Sequence, residues 1–497
     1  MIIAPVHPAT GIKVLPDKEW FNKDFRQINL EPAAIRSFFD QLFELRQRIP
    51  SSAGRNYEEA ENSICIASFG DQNSYFVVAS KSKNTFFSVV ALNTESSLEV
   101  YNSNSVSNSF QVIHCERIFN CQYVRESRDC LNSDFLFDCR NCQNCFGATN
   151  QRNKQFLWFN EQLAESEWRE RRASVDLGKR SVVQGYLKKF DELINNSVWP
   201  ENFNEQCDSC VGEYLTKATN CQYVYYSDGG AKDELYTMWS IGHSEGNAYC
   251  ADPSGSQDSY LCSAVFSCHH VLFSLWTSRC QDSEYLIDCY DCENCFGCIG
   301  LRHQKFCILN TQYSEEEYWQ KLDEIKCAML ESGEYGEPIA AKFSPGWFPE
   351  SGSYRYFEAD QSFGEKIGAH LFNPEDEGAI GEELMQAAQT TDSLDLPDSV
   401  DELDIWAGKV LYDNGYKRRF ALLKQEIDLR KQLRVAPPTF HHVKRVIEMI
   451  HSSNLALFKN SKCALCKKEI VFAVNPHYPE KKIYCRECYL KYLEENN

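Results

Sequence analysis

The sequence predicts a mainly β fold: a tandemly duplicated parallel β-solenoid (β-helix) with coils of about 24 residues, flanking helices and a small C-terminal zinc module. Three observations predict it. Phe135–Gln162 (FLFDCRNCQNCFGATNQRNKQFLWFNEQ) aligns without a gap to Tyr285–Gln312 (YLIDCYDCENCFGCIGLRHQKFCILNTQ), with 12 of 28 positions identical, so the chain is an internal duplication. Inside the first copy, Cys115, Ile118 and Cys121 stand 24 residues before Cys139, Cys142 and Cys145. Inside the second, Cys262, Val265 and Cys268 recur in the same way as Cys289, Cys292 and Cys295, at an interval longer by three. A unit this short, with apolar pieces and no long helix, buries its inner face only by stacking on neighbouring coils about 4.8 Å away. The third observation is a pair of cysteine pairs near the C-terminus, Cys463 with Cys466 and Cys485 with Cys488.

Each element follows in chain order. Residues 1–60 form an N-terminal helical cap: Ile35, Phe38, Phe39, Leu42, Leu45 and Ile49 share one stripe of a helix over Pro32–Ile49, ended by Pro50. Its expected place is over the open first coil, whose edge needs cover. Residues 61–198 are the first solenoid copy with a trailing helix near Ala164–Leu193. Residues 199–345 are the second, with a trailing helix near Ser314–Met329 opened by a capping box at Ser314 and Glu317. Residues 346–405 form an acidic connector, with 15 acidic residues against Arg355 and Lys366 between Phe348 and Ile405. Residues 406–460 are a basic helical segment, and 461–497 a zinc ribbon or treble clef ending in a short helix at Tyr489–Leu493.

Composition excludes several classes of function. No stretch approaches 18 continuous apolar residues, which excludes a membrane-spanning helix. A net charge of −20, from 51 basic and 71 acidic residues, argues against the whole surface being a nucleic-acid platform. Met1–Val14 lacks a basic end followed by an apolar run, so no export signal is expected and the 24 cysteines are read as reduced thiols of a cytoplasmic protein.

Those thiols are either ligands or small core residues. The position of Cys142 corresponds to Ile118 in an earlier coil, and that of Cys292 to Val265. A ligand cannot be exchanged for Ile or Val, whereas an inward side chain can. Cys289, Cys292, Cys295 and Cys298 keep the metal alternative open, because their C-x2-C-x2-C-x2-C spacing approaches an iron–sulfur run. Cys207 and Cys210 stay unassigned. Gly242-His243-Ser244-Glu245-Gly246 matches a nucleophile elbow, but the turn-like Asn247–Pro253 follows where a helix is required, so no hydrolase is expected.

The pattern Cys463-x2-Cys466-x18-Cys485-x2-Cys488 has the spacing that closes a tetrahedron around Zn2+. Four thiolates with no open position describe one structural site, so Zn2+ is the expected cofactor and no catalytic residue is assigned. DCYDCENCFGCIGLRHQKFCILNTQYSEEEY (Asp288–Tyr318) and KCALCKKEIVFAVNPHYPEKKIYCRECYL (Lys462–Leu490) resemble uncharacterised cysteine-rich zinc-ribbon proteins of candidate-phyla-radiation (Patescibacteria) genomes. The resemblance implies a zinc ribbon and no known activity. Trp406–Arg445, where such proteins carry a further C-x2-C module, has no cysteine, and Pro437-Pro438-Thr439-Phe440 stands in place of a knuckle. No N-terminal zinc module precedes Pro32 either.

The expected function is a non-catalytic zinc-binding scaffold presenting a solenoid surface to a protein partner. Two alternatives stand beside it. One is RNA or ribosome association through 406–497, which holds 18 Lys/Arg against 9 Asp/Glu, among them Lys417, Arg418, Arg419, Lys424, Arg430, Lys431, Arg434, Lys444 and Arg445. The other is a redox or iron–sulfur protein using the cysteine triplets.

Overall fold

The computed structural model describes residues 4, 6, 10–371 and 391–497. Residues 372–390 of the expected acidic connector lie outside the described residues. The chain is mainly sheet with several helices around it, and no sheet among the described residues closes into a barrel. No helix among them is long and apolar enough to cross a membrane.

Strand pairing fixes the period. Arg128, Leu131, Asp134 and Phe137 pair in parallel with Arg140, Gln143, Phe146 and Thr149, so four positions three residues apart each meet the residue twelve further on. The same twelve-residue step recurs at Gln122 with Phe110 and at Glu293 with Lys305. It shortens to eleven at Tyr75 with Phe86 and lengthens to thirteen at Gln222 with Leu235. The expected coil, twice that length, is therefore corrected to twelve. Sequence similarity recurs over two rungs because serine and cysteine alternate from rung to rung: Cys115, Ser127, Cys139 form one column and Cys121, Ser133, Cys145 another. One assigned equivalence is corrected with it. Val265 pairs with Thr277, one rung before Cys289, whereas Cys292 follows Cys268 and Cys280. Ile118 does lie in the column of Cys142, through Cys130.

Each three-residue side has one grammar. Its corner residue takes a left-handed backbone: φ is +51° at His114, +54° at Arg117, +53° at Asn120 and +58° at Tyr123, and this continues every third residue. Left-handed φ costs an L-residue roughly 1–2 kcal/mol, least for Asn and Asp. Asn or Asp fills many corners before cysteines, among them Asp129, Asp138, Asn141, Asn144, Asp288, Asp291 and Asn294, whereas His114, Tyr249, Leu261 and Arg279 fill others. Stacked corner amides add cross-rung bonds, Asn120 Nδ2 to Asn132 Oδ1 and Asn141 Nδ2 to Asn153 Oδ1, both 2.8 Å. Asn141→Gly is therefore expected to leave stability nearly unchanged. Asn141→Val should cost about 1–2 kcal/mol in urea unfolding, and equal cost for both would remove the corner argument.

The residue after each corner points inward. From Cys115 to Leu136 every third residue (Cys115, Ile118, Cys121, Val124, Ser127, Cys130, Ser133, Leu136) is at most 4% exposed. Serine and cysteine do the same work there. Ser127 Oγ donates to Arg125 O at 2.8 Å, and Cys115 Sγ donates to Ile113 O at 3.2 Å. One rung on, the Cys139 N–H donates to Ser127 Oγ, as the Ser127 N–H does to Cys115 Sγ. Burial pushes the Cys115 thiol up to about 12 and the Cys139 and Cys289 thiols well above their ordinary value, so these groups stay protonated. Cys142→Val is expected to cost no more than about 1.5 kcal/mol. Cys142→Asp should unfold the rung, because the new charge meets no partner. Equal damage by both would overturn the core role.

The helices differ from expectation in where they start and what they cover. Helix α1 (Phe38–Arg48) begins only at Ser37, whose side chain accepts from the Asp40 N–H, so Ile35 lies before the helix and is 97% exposed. It does not cap the first coil. Phe38 packs on Tyr285 and Phe296 of the second half, where a Cβ on Gly297 would come within 2.8 Å of the Phe38 ring. The first trailing helix is broken into α2 (Glu165–Ala173) and α3 (Arg180–Asn195), and the second, α4 (Glu315–Ser332), opens with the expected capping box at Ser314 and Glu317.

The basic segment folds onto the first half. Helices α5 (Lys424–Leu433) and α6 (His442–His451) lie on its ladder, where His442 packs on Phe76 and Phe87 at 4.5 and 5.1 Å. Beneath them Glu99, 1% exposed, receives Arg445 and Arg430, and Arg430 Nε reaches Glu426 at 2.9 Å. The chain ends in α7 (Arg486–Asn496), whose Tyr489 hydroxyl donates to Asp138.

Candidate metal centre

The hairpin Phe458–Lys462 with Glu469–Ala473 carries Cys463 and Cys466 in its turn, where Lys467 takes φ +66°. The Cys463 N–H donates to Lys468 O at 2.8 Å, and the Ala464 N–H donates to Ile483 O at 2.8 Å, which ties the turn to strand Lys482–Tyr484. That strand delivers Cys485 as the N-cap of α7 and Cys488 into its first turn. All four sulfur atoms lie within 4.8 Å of one another. Cys466 Sγ stands 3.7 Å from Cys485 Sγ, and the Cys485 N–H donates to Cys463 Sγ at 3.3 Å.

Electrostatics favour the thiolate at Cys463, whereas burial pushes the Cys485 thiol up and the Cys488 thiol up to about 12. Burial resists ionisation of Cys463, but the N–H groups of Cys466, Cys485 and Leu465 outweigh it and bring the thiol down to about 6. The N-terminus of α7 adds its positive end to the same point. This four-cysteine group can hold a metal ion, and among the described residues no other group of histidine, cysteine or carboxylate side chains converges as tightly. The four residues picked out by spacing are thus brought together.

The other candidates do not converge to the same degree, although the Cys292 thiol is hydrogen-bonded to those of Cys280, Cys289 and Cys295. Cys289, Cys292, Cys295 and Cys298 sit on four successive sides, and their thiols serve the backbone: Cys289 Sγ donates to Cys298 O at 3.3 Å and Cys298 Sγ to Cys307 O at 3.4 Å. Cys207 takes an inward place in the first rung of the second half, donating to Glu205 O and Leu215 O at 3.3 Å. Ser244 of the elbow-like motif is 1% exposed and faces Pro253 O at 3.1 Å, so it is an inward rung residue.

The basic residues are largely spent within the chain. Arg418 pairs with Glu350; Arg434 with Asp176 and Asp401; Lys424 with Asp404 and Asp428; Lys431 with Asp404; Arg430 and Arg445 with Glu99. Glu350, Asp401 and Asp404 of the connector are thus internal partners of the basic segment. Sequence reasoning missed Glu99, and no local pattern marks it: its partners Arg430 and Arg445 lie 331 and 346 residues away along the chain.

Comparison with known proteins adds little. No family model matches the chain, and no curated protein matches it. Among solved structures, a Desulfovibrio desulfuricans G20 protein described as a "putative acetyltransferase" is 8% identical over 48% of this chain, with a TM-score of 0.11. The match spans 64% of that protein's length, and at this TM-score it carries no argument.

Proposed function

We propose that the protein is a non-catalytic, metal-stapled scaffold. Two parallel β-solenoid halves with twelve-residue coils present their uncovered outer faces to protein partners, and one structural Zn2+ is held by Cys463, Cys466, Cys485 and Cys488. The observation that carries this reading is the division of the cysteines into two sets. One set converges, and its four soft sulfur ligands suit a tetrahedral Zn2+ with no position left for substrate. The other points into the ladders, hydrogen-bonded to backbone, where a small side chain is all that is required. Zinc bound there would join the final hairpin to α7 and so hold the module against Trp199 and Asn150 of the first half.

The test separates scaffold from redox protein. Full-length tagged protein expressed at native level is expected to co-purify with a stoichiometric protein partner, and Cys142→Val with Cys292→Val should leave that partner bound. The purified protein should be colourless and free of iron. Visible absorbance, or a partner lost with the interior thiols, would sink the scaffold reading. RNA association draws no support from Arg418, Arg430, Arg434 and Arg445, which already face carboxylates, and the full-length protein is expected not to retain RNA at about 0.15 M salt.

A further inference from the structure

The two halves carry the same corner column, and the chain covers it in one half only. In the first half the column runs Phe76, Phe87, Glu99, Gln111, Tyr123, Phe135. Rung by rung, the duplication matches these to Tyr223, Tyr236, Tyr249, Leu261, Phe273 and Tyr285. Helices α5 and α6 lie on the first column, leaving Phe87 3% and Glu99 1% exposed. In the second half α1 covers only the far end, at Tyr285. Tyr335 packs on Phe273, which is 5% exposed, and Phe458 packs on Tyr223; between them, among the described residues, Tyr236 is 48% and Tyr249 47% exposed. Their rings form a flat stack, Tyr223 to Tyr236 at 4.9 Å and 4°, Tyr236 to Tyr249 at 5.2 Å and 22°.

We propose that this tyrosine face is a docking site for an amphipathic helix of a protein partner, with basic residues along its edge. Three arguments select that occupant. The equivalent face already takes helices that reach the column through Arg430 and Arg445. The open stretch lies between covered ends, and its length from Tyr223 to Leu261, about 14 Å, suits a helix of about ten residues. One side of the coil away, Asp233, Asp258 and Asp282 alternate with Gly246 and His270; they lie beside Lys232, His269 and His270 but keep about half their side-chain surface exposed, which favours a cationic edge. Aromatic anchors of this kind concentrate binding energy at interfaces.

The proposal rests on the scaffold reading, and its test keeps the two apart. The probe is a synthetic peptide of residues 438–453, which contains α6, titrated into the full-length protein. Tyr236→Ser with Tyr249→Ser, exposed corner changes, should weaken binding at least tenfold, and Asp233→Asn with Asp258→Asn should flatten its salt dependence. No binding, or binding unchanged by the tyrosine pair, overturns the assignment. So does protection of both tyrosines from nitration in the free protein, which would mean that the chain covers them itself. Loss of a bound oligothymidylate in the tyrosine variant in place of the peptide would hand the face to single-stranded nucleic acid, and loss of self-association would hand it to a second copy; either result overturns the helix. If the tyrosine variant keeps its co-purifying partner, the face is wrong and the scaffold stands. If neither protein has a partner, the scaffold reading itself has failed.

Discussion

Reduced full-length protein is expected to carry one zinc per chain, and Cys463→Ser with Cys485→Ser to lose it together with the fold of the final hairpin and α7. Structural zinc binding is worth about 10–16 kcal/mol in short peptides, where it is the folding free energy. Here part of that is replaced by packing, because Tyr478 and Tyr489 are buried against the first half. The expected loss is still several kcal/mol, the largest of any substitution in the molecule. Elemental analysis and thermal melting with and without chelator measure it. A full zinc count in the double variant would remove these ligands from the argument. Three or more zinc ions per chain would return the interior thiols to it.

Glu99→Ala should cost about 3–5 kcal/mol, because it strands Arg430 and Arg445 in a dry contact with Glu426 as the remaining carboxylate. Burial alone would push the Glu99 carboxyl up, yet the two guanidiniums hold it below its ordinary value. A depressed folded-state pKa stabilises above the unfolded value, so this contribution is present at neutral pH and fades as the solution is acidified through the carboxylate range. Replacing the group as a unit, Glu99→Leu with Arg445→Met, should recover part of the loss, since an apolar filling carries no unpaired charge. Urea unfolding at constant m-value is the measurement. A cost under about 1 kcal/mol for Glu99→Ala would mean that water reaches the arginines.

What the sequence could reveal follows the range of the interactions. The duplication and the cysteine pairs around Cys463 and Cys485 are local repeats and spacings, so they are legible in one chain. The twelve-residue rung was half legible: Cys115 and Cys139 match across two rungs, and the intervening Ser127 hid the shorter step. A finer signal was present, because Asp138, Asn141 and Asn144 each precede an inward cysteine at left-handed φ. Residue types that tolerate that backbone, repeating every third position, are the mark of a corner. The Glu99 cluster and the placement of α1 on Gly297 were not legible. Both depend on surfaces meeting across hundreds of residues, which no periodicity reports.

The corner every third residue sets rules for how such a gene can change in length. Two nested frames govern the chain, one of three residues for corner and interior, one of twelve for the faces. Losing residues 116–127 preserves both: Cys115 would join Arg128, the next corner would fall on Asp129, and each column would merely become one rung shorter. Losing three residues keeps the interior filled but turns every later face by one side, carrying the column beneath α5 and α6 away from Arg430 and Arg445. Losing one residue sets inward cysteines on corners. The successive eleven-residue steps through Glu61, Gln72 and Lys83 and thirteen-residue steps through Gln222, Leu235 and Ala248 show that a rung can hold one residue fewer or more while parallel pairing continues.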